Sequence, residues 1–434
     1  MYFCLQRLQN RVQGRVSAYQ RNGMRVSGVW AGIIAVFIIV GCDSSEDKKL
    51  KRSANAMHNC AEDQTLSASE ERAIRQQIGA DAKIRRIEEI IRGKVRAGFN
   101  GNVLIAQKGV ILYQNSFGLA HFERSSRDSL NTNSKFQLAS LSKTFTAVAT
   151  LKLIDAKKLS LTDTIQKFFP DFPYHGISIE NLLSHRSGLP NYAYAFEDSM
   201  RTNFYKFEKP YPTNTEIMHW FANVHPTPQR YNIPGRTFSY SNTNYCVLAA
   251  IIEKITGMSF DQFAKKNIFE PLGMRNTWVS TTRNDSINQY RTAGYQWNRR
   301  IPKDYYDNVV GDKGIYSTVG DLFKWYRALN GDCLLPKTLL AQAFLPRSFE
   351  RKGTKNYGYG FRMYVNNENQ PEYIYHTGWW KGYNSIFWFS PKDDFVIIML
   401  GNRYNKSVYQ IKELLEVLHG HPANAEPETG EVDV

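Results

Sequence analysis

Cysteine is scarce in this 434-residue chain. Cys4, Cys42, Cys60, Cys246 and Cys333 are all there are, and no two form a CxxC pair. That density excludes a disulfide-built scaffold, and no cysteine–histidine cluster has zinc-site spacing. No metal or organic cofactor is expected. The chain also lacks H-E-x-x-H, G-x-x-x-x-G-K-[ST] and G-x-S-x-G, which removes the motif support for zinc peptidases, phosphate-loop enzymes and α/β-hydrolases. No fixed-period repeat is present, so solenoids and propellers are set aside. Acidic residues are fewer than basic ones, 40 against 55, for a net charge of +15. Arg7, Arg11, Arg15, Arg21 and Arg25 carry five of those charges in a terminal stretch without acids. The rest is scattered, with no basic run interleaved with aromatics, and reads as a solvated surface rather than a nucleic-acid footprint. What is plentiful is apolar residues, at 42%, enough for a large core.

The amino terminus has its own logic. Val26–Val40 is an apolar run of fifteen residues, followed by Gly41-Cys42 and the polar run DSSEDKKLKR. Fifteen is short of the ~20 needed to span a bilayer and suits the apolar centre of a signal peptide. Ile39-Val40-Gly41-Cys42 resembles a bacterial lipobox, in which the cysteine thiol is lipidated. We therefore expect a signal peptide over residues 1–41, with Met24 as a candidate true start, lipidation at Cys42, and a membrane-anchored lipoprotein of the bacterial envelope facing away from the cytoplasm. An uncleaved signal anchor is the alternative. Residues 42–80 read as a polar tether and 421–434 as a polar tail.

The folded part is expected over residues 81–420. Ile84, Ile87, Ile90 and Ile91 form a helical stripe. Gly101–Gln107 and Val110–Gly118 read as strands joined at Lys108-Gly109. Phe136–Lys157 is a helical stretch entered through an extended run, Lys135–Ala139. A mostly helical region follows at about 159–298, with pieces at Glu180–Leu183, Glu216–Val224, Asn242–Thr256 and Phe260–Phe269, and Val319–Leu329 comes after it. Strands return at Tyr357–Val365, Tyr373–His376, Asn384–Phe389 and Phe395–Leu400, before an amphipathic helix over Lys406–Leu418. This order implies an α+β or α/β protein: an antiparallel sheet built from both chain ends, flanked by helices, with a helical insertion between.

Three short segments carry residues suited to chemistry. Ser140-Leu141-Ser142-Lys143 lies where the extended run meets an apolar helix. A serine there meets free backbone N–H groups, and a lysine three residues on lies one turn along the same face. A neighbouring base makes a serine hydroxyl nucleophilic, and partial burial favours a neutral lysine. The pattern alone is weak: Ser45–Lys48 repeats it inside the tether, and a helix cap beside a solvated lysine is the plain alternative. Tyr240-Ser241-Asn242 precedes a second apolar helix. A phenol near lysines suits proton transfer and an asparagine amide suits a substrate carbonyl, although a packed tyrosine and a capping asparagine would read the same. His376-Thr377-Gly378 ends a strand, and its glycine permits close backbone approach.

Taken together, S-L-S-K, Y-S-N and H-T-G resemble, in order, the motifs of the serine β-lactamase and penicillin-binding protein superfamily. The Tyr-x-Asn form is similar to the branch of class C β-lactamases and D-alanyl-D-alanine carboxypeptidases, which includes esterases and D-aminopeptidases. Leu182–Pro190 (LLSHRSGLP), Pro234-Gly235, and Gly314–Thr318 followed by Asp321-Leu322 extend the likeness over about 85–418. The resemblance implies Ser140 as acyl-forming nucleophile, with Lys143 and Tyr240 sharing the proton work. It implies Asn242, His376, Thr377 and Gly378 against the substrate, and backbone N–H groups of Ser140 and Trp379 as oxyanion hole. His185 stays outside the catalytic set.

The third motif departs from many β-lactamases in having His376 where they have lysine. A histidine is mostly uncharged at neutral pH, which weakens its pull on a carboxylate. The expected activity is acyl-enzyme hydrolysis of amides or esters: D-amino-acid peptides, small esters or β-lactams, with peptides and esters ahead. A non-catalytic or slowly deacylating penicillin-binding sensor is the competing function. Both imply a small-molecule or peptide partner, a membrane and no nucleic acid.

Overall fold

A computed structural model describes residues 66–123, 128–195, 212–226, 233–282, 291–303, 305–350 and 353–420. The signal segment, Cys42 and residues 421–434 lie outside the described residues. No described helix is long and apolar enough to cross a membrane.

The chain begins with α1 (Ala68–Gln77) and α2 (Ala80–Arg96). The first lies inside the stretch read as tether. Ser67 and Glu70 form a reciprocal capping box at its start, and Ile74 packs against the folded part although no α1 residue is fully buried. Next come β1 (Gly101–Gln107), β2 (Val110–Phe117), β3 (Phe136–Gln137), α3 (Ser142–Asp155), α4 (Ile179–Leu183), α5 (Asn214–Val224), α6 (Asn242–Thr256) and α7 (Phe260–Ala264). Short strands β4 (Trp278–Val279), β5 (Tyr295–Gln296), β6 (Arg299–Arg300) and β7 (Ile315–Ser317) precede α8 (Val319–Asn330) and α9 (Lys337–Ala343). The chain closes with β8 (Lys355–Tyr357), β9 (Arg362–Val365), β10 (Pro371–Trp380), β11 (Tyr383–Ser390), β12 (Phe395–Gly401) and α10 (Lys412–His419).

The main sheet has seven antiparallel strands in the order β2-β1-β12-β11-β10-β9-β8. Two strands come from the start of the chain and five from its end, as the order of elements implied. Every residue of β1, β11 and β12 is buried, so the central strands are covered on both faces. Alternation splits them cleanly. Val103, Ile105, Ile397 and Met399 meet α2 and α10, which contribute Ile87, Ile91, Leu414 and Leu415. Leu104, Ala106, Ile398 and Leu400 face the larger core of the helical region. Two-sided burial is why these strands read as continuous apolar runs rather than alternating ones. In that larger core, α3 and α6 are buried nearly all round, as helices apolar on every side must be.

Three elements differ from expectation, each for a local reason. Tyr357–Val365 is two strands, because the chain turns through Gly358 and Gly360. Gly360 has φ +81°, and a Cβ there would lie 2.5 Å from the Ala147 Cβ. The closing helix is split into a 3-10 turn (Lys406–Tyr409) and α10, with Lys94 reaching across to donate to the Ser407 and Gln410 carbonyls. The helical stretch from Phe136 starts as β3, paired with β7, and turns helical only at Ala139.

Candidate active site

The sharp turn between β3 and α3 presents Ser140. Its backbone is clamped on both sides: Leu138 N–H donates to the Ile315 carbonyl at 2.8 Å, and the Leu138 carbonyl accepts from the Ser385 hydroxyl at 2.7 Å. Ala139 sits in the left-handed region at φ +50°, which costs a non-glycine residue about 1–2 kcal/mol. The clamp offsets that cost and lifts Ser140, only partly buried, out of a turn whose other residues are covered.

Lys143 follows in the first turn of α3, fully buried. Its Nζ lies 3.0 Å from Ser140 Oγ, 2.8 Å from Asn242 Oδ1 and 2.9 Å from the Asp312 carbonyl oxygen. Two of these three neighbours can only accept, so two amine protons are committed to them. The third tetrahedral position points at the serine hydroxyl. With a lone pair there the amine takes the serine proton, and with a proton there it gives one back.

Tyr240 and Asn242 come from the entry to α6. The Tyr240 ring centroid is 5.0 Å from Lys143 Nζ and 5.2 Å from the Arg362 guanidinium. It also lies against the His185 ring, with centroids 4.2 Å apart and planes 34° apart. Asn242 turns its oxygen to Lys143, which leaves its NH2 as the end available to a ligand.

Strand β10 forms the opposite wall. Gly378 passes so close to the serine turn that a Cβ would lie 2.1 Å from the Leu138 oxygen and 3.1 Å from the Ala139 Cβ. Thr377 is nearly covered, whereas Trp379 is 41% exposed and packs at a tilt against Tyr404. His376 has no exposed surface. Its Nδ1 donates to the Thr377 carbonyl at 2.6 Å, so its Nε2 is the acceptor for the Tyr357 hydroxyl at 3.3 Å. Burial first, then the nearby Arg362 and Lys143 cations, hold the imidazole well below its usual protonation range. His376 is thus in the wall formed by β10, but covered and uncharged rather than open to a substrate. The half-buried cation on this side is Arg362, on β9.

A second buried group lies behind Lys143. Asp312, whose carbonyl holds the lysine amine, has a carboxylate that accepts from the Tyr192 hydroxyl at 3.0 Å and faces Lys313 Nζ at 3.4 Å. Lys313 also donates to Tyr192 and lies 5.2 Å from the Trp380 ring centroid. Burial first, then the Asp312 carboxylate, keeps the Tyr192 phenol protonated, well above its ordinary range. Sequence reasoning missed Asp312, Lys313, Tyr192 and Arg362. Two adjacent charges inside the apolar stretch VVGDKGIYS were a readable signal, whereas nothing in the strand pattern marks Arg362.

A lysine amine shared between a serine hydroxyl and two fixed acceptors, at the edge of an antiparallel sheet, defines a serine hydrolase of the β-lactamase and penicillin-binding protein architecture. The sequence matches the Beta-lactamase family over residues 86–419, and the chain belongs to that family. It is 34% identical over 348 residues to Penicillin-binding protein 4* of Bacillus subtilis (strain 168), covering 75% of this chain and 73% of that one. Its fold is similar to a penicillin-binding protein from Bacillus halodurans (TM-score 0.63, 22% identity, 77% of this chain and 98% of that one). It is also similar to a class C β-lactamase (TM-score 0.63, 18% identity, 79% and 98%).

Proposed function

We propose that the protein hydrolyses amide or ester bonds of small acyl donors through an acyl-enzyme on Ser140, with D-amino-acid peptides and small esters preferred over β-lactams. The observation that carries this reading is Lys143 Nζ, held by Asn242 Oδ1 and the Asp312 carbonyl with its remaining position 3.0 Å from Ser140 Oγ. In the forward step Ser140 Oγ attacks the acyl carbonyl while Lys143 takes the hydroxyl proton. The oxyanion is held by the N–H groups of Ser140 and Trp379, donors typically worth about 3–4 kcal/mol each. The leaving amine or alcohol takes a proton returned from Lys143 through the Tyr240 phenol, and water then attacks the ester by the reverse path. The Asn242 NH2 orients the acyl side.

Substrates bearing a carboxylate are favoured by charge. Arg362 stands over Tyr240, while His376 is buried and neutral, so the arginine is the group to meet the carboxylate, with Thr377 contributing from β10. The chain works, in this reading, as a lipoprotein tethered through Cys42 outside the cytoplasm. Absence of label on wild-type protein from cells fed a radioactive fatty acid would remove that address.

Intact-protein mass after mixing with a D-Ala-D-Ala peptide, a p-nitrophenyl ester and nitrocefin tests the chemistry. Transient acyl adducts with turnover are expected, and both vanish in Ser140→Ala. A stable nitrocefin adduct with no turnover of any substrate would point to a sensor. Turnover that survives Ser140→Ala would remove the serine from the mechanism.

A further inference from the structure

His185 lies just beyond α4, in the left-handed region at φ +55°, with no exposed surface. Nothing in the proton path above uses it. Yet it holds the chain on both sides of Tyr240. Its carbonyl accepts from Ser239 N–H at 2.8 Å, and its Nδ1 accepts from Ser241 N–H at 3.2 Å. Between those two anchors the Tyr240 ring lies against the imidazole, 4.2 Å between centroids.

The tautomer follows from these contacts. A backbone N–H only donates, so Nδ1 carries no proton. The second partner of Nδ1 agrees. Leu189 N–H donates to the Ser187 hydroxyl, which donates to Asn244 Oδ1, so the Asn244 amide turns its NH2 toward Nδ1 at 2.9 Å. The remaining ring proton is on Nε2, which is buried without a hydrogen-bond partner among the described residues. The imidazole sits among aromatic rings, its centroid 4.9 Å from that of Tyr357 at 65°. Burial first, then the Lys143 and Arg362 cations, keep this imidazole neutral. A ring that accepts at one nitrogen and leaves the other proton in an aromatic cage makes poor use of its hydrogen-bonding capacity, but it fixes one orientation of its flat face.

We propose that His185 is a positioning residue of the reaction. Its Nδ1 and carbonyl pin the segment Ser239–Ser241, and its ring face holds Tyr240 in line with Lys143 and Ser140. The proposal rests on the proton-handling role of Tyr240 given above. Residues two or more bonds away from chemistry can act this strongly because a displacement of about 1 Å at a reacting group costs roughly a hundredfold in rate.

The test uses the whole protein and a p-nitrophenyl ester, whose acylation step releases the coloured phenol. His185→Phe keeps a flat ring and removes the acceptor, and kcat is expected to fall about ten- to a hundredfold with KM little changed. His185→Asn puts an amide oxygen where Nδ1 was and tolerates the left-handed backbone, so it recovers most of kcat. His185→Gln, whose oxygen reaches the Nε2 level, does not. Each variant is also made on Tyr240→Phe. If His185 works through Tyr240, its substitution costs kcat nothing further in that background. A wild-type kcat in His185→Phe, or a loss that multiplies with the loss in Tyr240→Phe, overturns the proposal. Tyr240→Phe with full kcat overturns the underlying role of Tyr240 instead. Where His185→Phe melts below the assay temperature, the His185→Asn and His185→Gln pair carries the same comparison.

Discussion

Replacing Gly378 by alanine is the smallest change that should separate the two walls of the site. The added Cβ would lie 2.1 Å from the Leu138 carbonyl oxygen, 2.4 Å from Ser385 Oγ and 3.1 Å from the Ala139 Cβ. Real contacts of this kind do not go below 3.0 Å, so β10 and the serine turn must part by about 1 Å. Neither wall yields easily. The strand is paired with β11 through Gly378↔Ser385, and the turn is bound to β7 through Leu138 and Ile315. Overpacking of this size costs about 1–3 kcal/mol of stability. The kinetic consequence is larger, because the same 1 Å would shift the Trp379 N–H, the proposed oxyanion donor, relative to Ser140 and is worth about a hundredfold in acylation. Ser385→Ala is the control. It removes the bond to Leu138 without adding a Cβ between the walls, and should cost only about 0.5–1.5 kcal/mol in stability. Pre-steady-state release of p-nitrophenol gives the acylation rate, and urea unfolding gives the stability. Acylation within threefold of wild type in a folded Gly378→Ala would refute the claim that this strand and the serine turn are held at one fixed separation.

Lys143→Met should lower acylation about 10²–10⁴-fold, read by the same burst. Asp312→Asn leaves Lys313 buried without its counter-ion and should destabilise by about 3–5 kcal/mol in urea, whereas Asp312→Asn combined with Lys313→Met should recover much of that loss. Arg362→Gln should raise KM for a carboxylate-bearing peptide about ten- to a hundredfold and leave a neutral ester unchanged, with His376→Gln showing no such split between substrates. Stability should fall on acidification below about pH 6.5. His185 and His376 are held neutral in the fold, so below the unfolded value of about 6.5 the unfolded chain takes up protons that the fold refuses, at up to about 1.4 kcal/mol per pH unit for each ring. Urea midpoints at pH 7 and pH 5 measure this, and His376→Gln should flatten the slope.

Much of this site was legible in the sequence because its parts are local. Ser140 and Lys143 are three residues apart on one helix, and Tyr240 and Asn242 share one helix entry, so spacing alone places each pair. The sheet was legible for another reason: β1, β11 and β12 are buried on both faces and leave unbroken apolar runs. What escaped depends on contacts that no local pattern encodes. Asp312 holds Lys143 through its main-chain oxygen, a group every residue has, across 169 positions. Arg362 sits on a short strand whose partner residues are Tyr357 and Tyr375, and only that pairing brings it to Tyr240. The turn at Gly358–Gly360 was hidden inside a β-rich stretch, although two glycines so close together are what a chain needs to pass over α3.

The histidine in the third motif makes more sense once the charges are placed. Lys143 and Arg362 both lie over the Tyr240 ring, and Lys313 is paired with the Asp312 carboxylate. A lysine at position 376 would put a further cation on β10 beside Tyr357, fully enclosed and with no carboxylate of the described residues hydrogen-bonded to that position. An enclosed, uncompensated charge costs several kcal/mol. The neutral imidazole satisfies the Thr377 carbonyl and the Tyr357 hydroxyl without that cost. In the proposed reading the weaker attraction that a histidine has for carboxylates is made up by Arg362, which reaches Tyr240 from the neighbouring strand.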